Sequence, residues 1–464
     1  MPRPSPAILL AASFAFVIVQ LDVTIVNVAL PAIGRELGAG VGALQWVVDA
    51  YTLSFAVFLL SAGVLGDRFG ARRIFLAGFG LFTVASLACA LAPGALALNL
   101  ARAVQGVGAA FMVPSSLAIL NAAYAGERAQ LARAIAWWTA AGGVSIAAGP
   151  VLGGLLMEVA GWRAIFWVNI PLCLLGFGLT LRAVPALDGK PDARGIDMPG
   201  QLLAIVALTA LVGAVIEAHA LGLRSPLLHG ALLAALVAGA LFLRRQRRAA
   251  APMLPLGLFA ARAFSGAVLF GVLVNFAYYG VIFVFSIYLQ QVRGYPALQA
   301  GLIFLPLTGT FIFSNLASGW LQARVGPRLP MVAGGLAGAA GYALLGGFGI
   351  AHDASFLAML PGLLLIPGGM GLAVPAMTTS ILAAVERRQA GTASAVLNTA
   401  RQVGGAMGVA IFGTLLAGPG SGAALHGTRL ALAVASALLL LAALLAWRCL
   451  PQPFFNQGET PCRT

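Results

Sequence analysis

Charge is scarce in this chain. Asp, Glu, Lys and Arg together make up 9% of its 464 residues, against about a quarter in a soluble domain. No window is long and polar enough to fold as a soluble enzyme or sensor domain. Lysine is nearly missing, Lys190 being the only one. The four cysteines, Cys89, Cys173, Cys449 and Cys462, show no paired spacing, which argues against a disulfide framework or a thiolate metal site. The four histidines, His219, His229, His352 and His426, fall at or near loops and share no spacing. A converging cluster of the kind an intramembrane enzyme needs is therefore not expected, and neither a metal nor an organic cofactor. Acids are outnumbered, giving a net charge of +14. That excess could suggest nucleic acid, but the basic residues sit in short clusters between apolar runs and form no basic face, so no nucleic-acid partner is expected.

What the chain has instead is apolar length. It is 61% hydrophobic, and a bilayer-spanning helix needs about 20 mostly apolar residues. Fourteen such stretches can be drawn, at roughly 8–33, 43–65, 73–92, 95–121, 131–157, 161–181, 199–218, 226–243, 263–290, 297–323, 330–349, 354–378, 392–417 and 428–450. The expected fold is an all-α integral membrane protein with 14 transmembrane helices and the lipid bilayer as a partner. The opening MPRPSPAILLAASFAFVIVQLD resembles a signal peptide, but its apolar region runs on through a full span, so an uncleaved first helix is expected. Placing both termini in the cytoplasm puts 20 of the 27 basic residues in inside segments and 5 in outside loops, as the positive-inside rule requires. The expected location is the cell (inner) membrane.

A faint internal repeat divides the chain. GVLGDRFGARR at 63–73 is echoed by GWLQARVGPRL at 319–329, ERAQ at 127–130 by ERRQ at 386–389, and VPSS at 113–116 by VPAM at 374–377, at offsets of 256, 259 and 261. Spans 1–6 and 9–14 thus read as related halves. The expected domains are an N-terminal six-helix bundle (1–181), a linker with two extra helices (182–262), a C-terminal six-helix bundle (263–450) and a cytoplasmic tail (451–464).

Inside the first span lies Asp22. A carboxylate at membrane depth costs roughly 2.5–3.5 kcal/mol on insertion scales, so it calls for a partner or a task. Counting along the helices at 1.5 Å per residue puts Asp22 ~12 Å, Arg102 of span 4 ~10 Å and Asp49 of span 2 ~9 Å below the outer surface. One level thus holds three ionisable residues. Two readings are open: a proton-linked group that titrates during a cycle, or a permanent Asp–Arg pair that locks the bundle. Asp49 also has Trp46 beside it, which suits an interfacial position where a carboxylate costs less.

Four motifs carry a resemblance across nearly the whole chain. GVLGDRFGARR resembles the loop signature of the major facilitator superfamily. LNLARAVQGVGAAFMVP at 98–114 resembles its fourth-helix motif, and AGGVSIAAGPVLGG at 141–154 the fifth-helix signature of its antiporters. LDVTIVNVALP at 21–31, together with WRAIFWVNIPL at 162–172, resembles the fourteen-helix drug:proton antiporter branch. The resemblance implies the major facilitator fold, with two six-helix pseudo-repeat bundles around two extra central helices. It implies alternating access and a proton as coupling ion, with Asp22, Arg102 and Asp49 as proton-coupling candidates. It also implies a loop latch at Gly63, Asp67, Arg68, Gly70, Arg72 and Arg73, where Gly63 and Gly70 permit a tight turn and Asp67 is placed to cap or neutralise a helix N-terminus. Ala71 departs from the pattern, and the second copy has Ala323 in place of the acid. In the antiporter motif, Gly142, Gly149 and Gly153 share a helix face for close packing, Pro150 bends the helix, and Gly154 completes the signature; a close contact between the halves would suit a seal.

Substrate signals are weaker. Asn27, Trp138, Asn275, Tyr278, Asn398 and Gln402 are candidate cavity residues; helix–helix hydrogen bonding and interface anchoring explain the same residues equally well. No acid falls within spans 9–14. The implied function is proton-coupled efflux of small hydrophobic or cationic drugs, including antibiotics. The alternative is a dedicated exporter of one metabolite, such as a self-made antibiotic, lipid or siderophore. A small-molecule substrate and a monomeric state are expected in either case.

Overall fold

The computed structural model describes residues 6–124, 128–186, 197–222, 224–249, 252–351, 354–385, 389–416 and 421–450. Arg3, Glu127, Lys190, Arg194, His352, Asp353, Glu386, Arg387 and Arg388 lie outside the described residues, as does the expected tail 451–464 with Cys462 and Arg463.

The described residues are helical from end to end. In order they form α1 (Pro6–Leu37), α2 (Val41–Phe69), α3 (Ala71–Ala90), α4 (Ala95–Ala123), α5 (Arg128–Ala160), α6 (Ala164–Trp167), α7 (Asn169–Ala183), α8 (Met198–Leu221), α9 (Pro226–Arg248), α10 (Arg262–Ile287), α11 (Ala297–Ile303), α12 (Leu305–Val325), α13 (Arg328–Leu344), α14 (Phe356–Ala383), α15 (Ala390–Thr414) and α16 (Ser421–Cys449). Helical segments occupy all fourteen predicted stretches; α6 with α7 and α11 with α12 each fill one. Long apolar helices are the form in which a chain satisfies its own backbone polar groups without water.

Among the described residues, twelve helices are long and apolar enough to cross a membrane. A thirteenth is added if the two segments of α5, Arg133–Ile146 and Ala148–Ala160, bent by 42°, count as one. The bend falls one turn before Pro150, whose missing N–H breaks the ladder. Helix α15 falls short of that test because Asn398, Thr399, Arg401 and Gln402 interrupt its apolar run.

Two large apolar cores hold the helices, and they divide unequally. The start of α1 at Pro6 and the end of α16 at Cys449 mark the termini side of the bundle. One core fills the termini side of α1–α7, with Phe75, Phe79, Phe82 and Met112 at its centre; Tyr279 of α10 packs against its edge. The other core joins the opposite-side ends of α1 and α2 (Ile25, Val26, Leu30, Val47) to α10–α16 (Phe283, Phe285, Ile303, Phe412). A third, small core is shared by Leu53 of α2, Val212 and Ile216 of α8, and Ala406 and Ala410 of α15. Helix α8 thus lies along the seam between α2 and α15.

Hydrogen bonds across the seam follow the same division. Gln45 Nε2 donates to the carbonyls of Val409 (3.1 Å) and Ala410 (2.6 Å). Ser286 Oγ donates to Asn27 O (2.8 Å), and Gln290 Nε2 to Val28 O (2.9 Å). Near mid-helix, Thr399 Oγ1 donates to Ala56 O (3.3 Å). The opposite side is therefore sealed, with its bonds ending near the middle of the bundle.

At its base the extra pair is fastened by a polar hub. Asp197 caps α8, accepting from Gly200 N (3.0 Å), Arg245 Nε (2.8 Å) and Gln246 Nε2 (2.9 Å). Gln246 Oε1 in turn accepts from Leu254 N (3.0 Å). Gln201 ties α8 to α2, accepting from Ser61 Oγ (2.5 Å) and donating to Val57 O (3.2 Å).

Candidate proton and substrate site

The buried ionisable residues do not form one group. Asp22 of α1 is fully buried and accepts from three side chains. Arg102 of α4 forms an ion pair with its Oδ2. Gln105 Nε2 (3.1 Å) and Asn169 Nδ2 (2.9 Å) donate to its Oδ1. The guanidinium also donates to Val47 O (2.9 Å) and Gln105 Oε1 (2.6 Å), and lies 4.3 Å from the centre of the Tyr51 ring and 5.8 Å from that of Phe166. Gln105 closes the network by donating to Ser86 Oγ (2.9 Å). Six of the seven helices of the first half supply these groups. Removing one partner of such a pair leaves a buried charge uncompensated, so the arrangement resists opening.

Asp49 lies outside that network. It is fully buried, and neither carboxylate oxygen has a hydrogen-bond partner. Its place on α2, four residues after Gln45 and seven before Ala56, puts it on the face that meets α15. An ionised carboxylate there would bear its full desolvation cost with nothing to offset it. Equal depth, the basis for grouping the three, does not make them neighbours: Asp22 and Arg102 meet, while Asp49 faces the seam.

The loop residues make a tight turn and little else. Gly70 takes φ +92°, in the left-handed region that only glycine enters cheaply, and links α2 directly to α3. Asp67 does not cap α3 as expected: the N-cap is Gly70, with no side-chain bond, and Asp67 is exposed. Arg72 Nη2 donates to Leu181 O at the end of α7 (3.0 Å). Arg68 lies over Phe69 (5.6 Å), Arg73 is exposed, and Gly63 is half-buried.

The glycines of α5 divide between two partners. Gly142 faces Phe16, Gly149 faces Thr24 and Ile25, and Gly153 faces Ile25, so this stripe packs on α1 within the same half. The contact across the seam is made by Gly154, where a Cβ would lie 2.6 Å from Leu298 Cα, and by the Pro150 carbonyl, which Gly301 of α11 approaches closely.

Candidate cavity residues are scattered. Trp138 is buried, stacked on Phe16 (3.8 Å) and donating to Ser116 Oγ (3.1 Å). Asn27 and Asn275 are buried and donate to their own helices, to Val23 O and Gly271 O. Tyr278 lines a 10 Å³ void inside the second half. Asn398 and Gln402 are half-buried on α15. Gln105 and Asn169, which complete the network, lie in the quoted motifs; Gln105 stands one turn after Arg102, a signal that sequence offers, whereas nothing local ties Asn169 to Asp22. A separate cavity of about 320 Å³ opens between α2, α4 and α8, lined by Trp46, Phe58, Leu100 and Thr209 among others, with the Oδ1 of Asn99 unpartnered.

Similarity to known proteins agrees with this architecture. The family model of the Major Facilitator Superfamily matches residues 12–409. The chain is 40% identical over 417 residues to the multidrug resistance protein Stp of Mycobacterium tuberculosis, covering 90% of this chain and 77% of that one. It is 37% identical over 450 residues to the methylenomycin A resistance protein of Streptomyces coelicolor, covering 97% and 93%. Among solved structures, a POT family transporter in complex with a thioalcohol-conjugated peptide superposes with a TM-score of 0.71 over 95% of this chain and 94% of that one, at 14% identity. With an all-helical architecture, a buried Asp–Arg pair, a family model matching residues 12–409 and relatives of this kind over nearly its full length, the chain belongs to the Major Facilitator Superfamily.

Proposed function

We propose that the protein exports small hydrophobic or cationic compounds, including antibiotics, in exchange for protons. In this reading all fourteen helical stretches cross the cell membrane, the bent α5 and the polar α15 among them, with both termini in the cytoplasm and 1–181 and 263–450 as the two moving bundles. The termini side is then the cytoplasmic side, and the conformation is closed to the outside. The exposed, unengaged Asp67 supports this, since a latch on the cytoplasmic side would be released in such a state.

The observation that carries the proton assignment is Asp49, whose buried carboxylate has no partner for either oxygen. It is the group that a proton makes tolerable at this seam. Proton release to the cytoplasm would leave a carboxylate that favours rearrangement of the halves. Return through the outward-open state would reload it, with the membrane potential adding ~2.3 kcal/mol per charge per 100 mV. The Asp22–Arg102 network is the fixed strut of the first half, not the titrating group.

The test is uptake into inverted vesicles under an imposed pH gradient, with a panel of dyes and antibiotics. Wild type is expected to accumulate several unrelated compounds, and Asp49→Asn to lose the dependence on the gradient. Gradient-driven uptake that persists in Asp49→Asn would refute the assignment. The relative named for a single antibiotic, methylenomycin A, favours a second reading, a dedicated exporter with the same mechanism. Accumulation of one compound alone from the panel would select it.

A further inference from the structure

Arg401 is a half-buried side chain with no hydrogen bond or ion pair among the described residues. It sits mid-way along α15, one turn from Asn398 and beside Gln402. Its Nε is buried and makes no hydrogen bond. The Tyr279 phenol is the titratable group near it, and Gly271 of α10 leaves room for its stem, a Cβ there meeting Arg401 Cγ at 3.3 Å. Tyr279 packs against the apolar core of the first half as well as that of the second, so Arg401 lies beside the seam where the halves meet.

Among the described residues its charge has no counter-ion. Helices α10–α16 contain no Asp or Glu at all. Asp22 is taken by Arg102, and Asp49, on a helix that packs against α15, has both oxygens unpartnered. A guanidinium kept at membrane depth without a carboxylate is costly, and such residues mark binding or transport paths. Its planar fork fits a carboxylate through two parallel hydrogen bonds. The half-buried Asn398 and Gln402 and the Tyr279 ring supply neutral polar and aromatic surface beside it.

We propose that Arg401 is the recognition site for the carboxylate of an amphiphilic organic acid, with the aromatic or apolar body of that compound lying against Tyr279. The proposal rests on the efflux reading and names one substrate class within it: compounds with a carboxylate gain a hold that neutral and cationic compounds do not have.

The experiment uses the full-length protein and a matched pair, a fused-ring aromatic carboxylic acid and its methyl ester. Each competes with a neutral fluorescent dye for gradient-driven uptake in inverted vesicles. With wild type the acid is expected to compete about tenfold better than the ester, the effect of one charge-assisted hydrogen-bonded pair. Arg401→Gln should continue to move the dye and lose that advantage, and Arg401→Lys should regain part of it. Equal competition by acid and ester in wild type overturns the proposal. So does equal loss of acid, ester and dye in both variants, since Arg401 would then serve only the packing of the halves. A binding measurement separates this from failure of the efflux reading. If wild type moves no dye, protection of the purified protein against thermal unfolding by the acid and not by the ester still supports the site, and absence of that protection still refutes it.

Discussion

The two halves of this protein treat charge in opposite ways. The first half holds Asp22 and Arg102 at one depth and surrounds them with Gln105, Asn169, Ser86 and Tyr51, so that every arm of the carboxylate is engaged. The second half has no acid in any helix and leaves Arg401 with an unpaired nitrogen. Only a closed network tolerates two buried charges without a further task. The first half is thus built as a strut, and among the described residues the seam holds unspent charge on both sides, on Asp49 and on Arg401.

That contrast can be broken at its strongest point. Arg102→Ala should cost about 3–5 kcal/mol, the usual effect of stripping one partner from a buried ion pair. Thermal unfolding in detergent checks it, and a loss under 1 kcal/mol would mean the network is not a strut. Asp49→Asn should leave thermal stability nearly unchanged, because no hydrogen bond is lost, while gradient-driven uptake falls to the level of empty vesicles. Equal damage to folding and transport would erase the distinction between Asp49 and Asp22.

A smaller effect is expected at the seal. In Gly301→Val the added carbon would fall on the Pro150 carbonyl, and the crowded α5–α11 contact should part. Labelling of single cysteines placed on the opposite side should then rise several-fold, while α1–α5 packing within the first half is unaffected. The smallest effect concerns the extra helices. Burial raises the Asp197 carboxyl, but hydrogen bonds from Arg245, the Gly200 N–H and Gln246 outweigh it and hold the group below its ordinary value. Its contribution to stability is therefore complete above the ordinary carboxylate range and disappears as pH falls through the lowered value. Asp197→Ala should cost about 1 kcal/mol, as a lost helix cap does, and should flatten stability against pH on the acid side.

The helices were legible because apolar length is a one-dimensional signal, and each predicted stretch is helical where it is described. Depth was legible too, since rise per residue is constant, and it brought Asp22 to Arg102. Direction around the helix axis was not recovered for every residue. Asp49 shares the depth of that pair but points to another neighbour, and the glycine stripe of α5, expected at a contact between the halves, faces α1, while Gly154 alone of the motif's glycines reaches α11. The hub of Asp197, Arg245, Gln246 and Gln201 was invisible, because it joins residues nearly fifty positions apart through single side chains with no periodicity to announce them.

The bonds that seal the opposite side share one property. Gln45, Ser286, Gln290 and Thr399 each donate from a neutral side chain to a main-chain carbonyl. Such a clasp carries no formal charge, so neither acid nor salt unfastens it directly. Its acceptors are backbone atoms, so substitutions at Val28, Ala56, Val409 or Ala410 leave them in place. In the proposed cycle, a proton taken up or released at Asp49 would therefore reach this clasp as mechanical displacement of the halves, not as titration of the clasp itself.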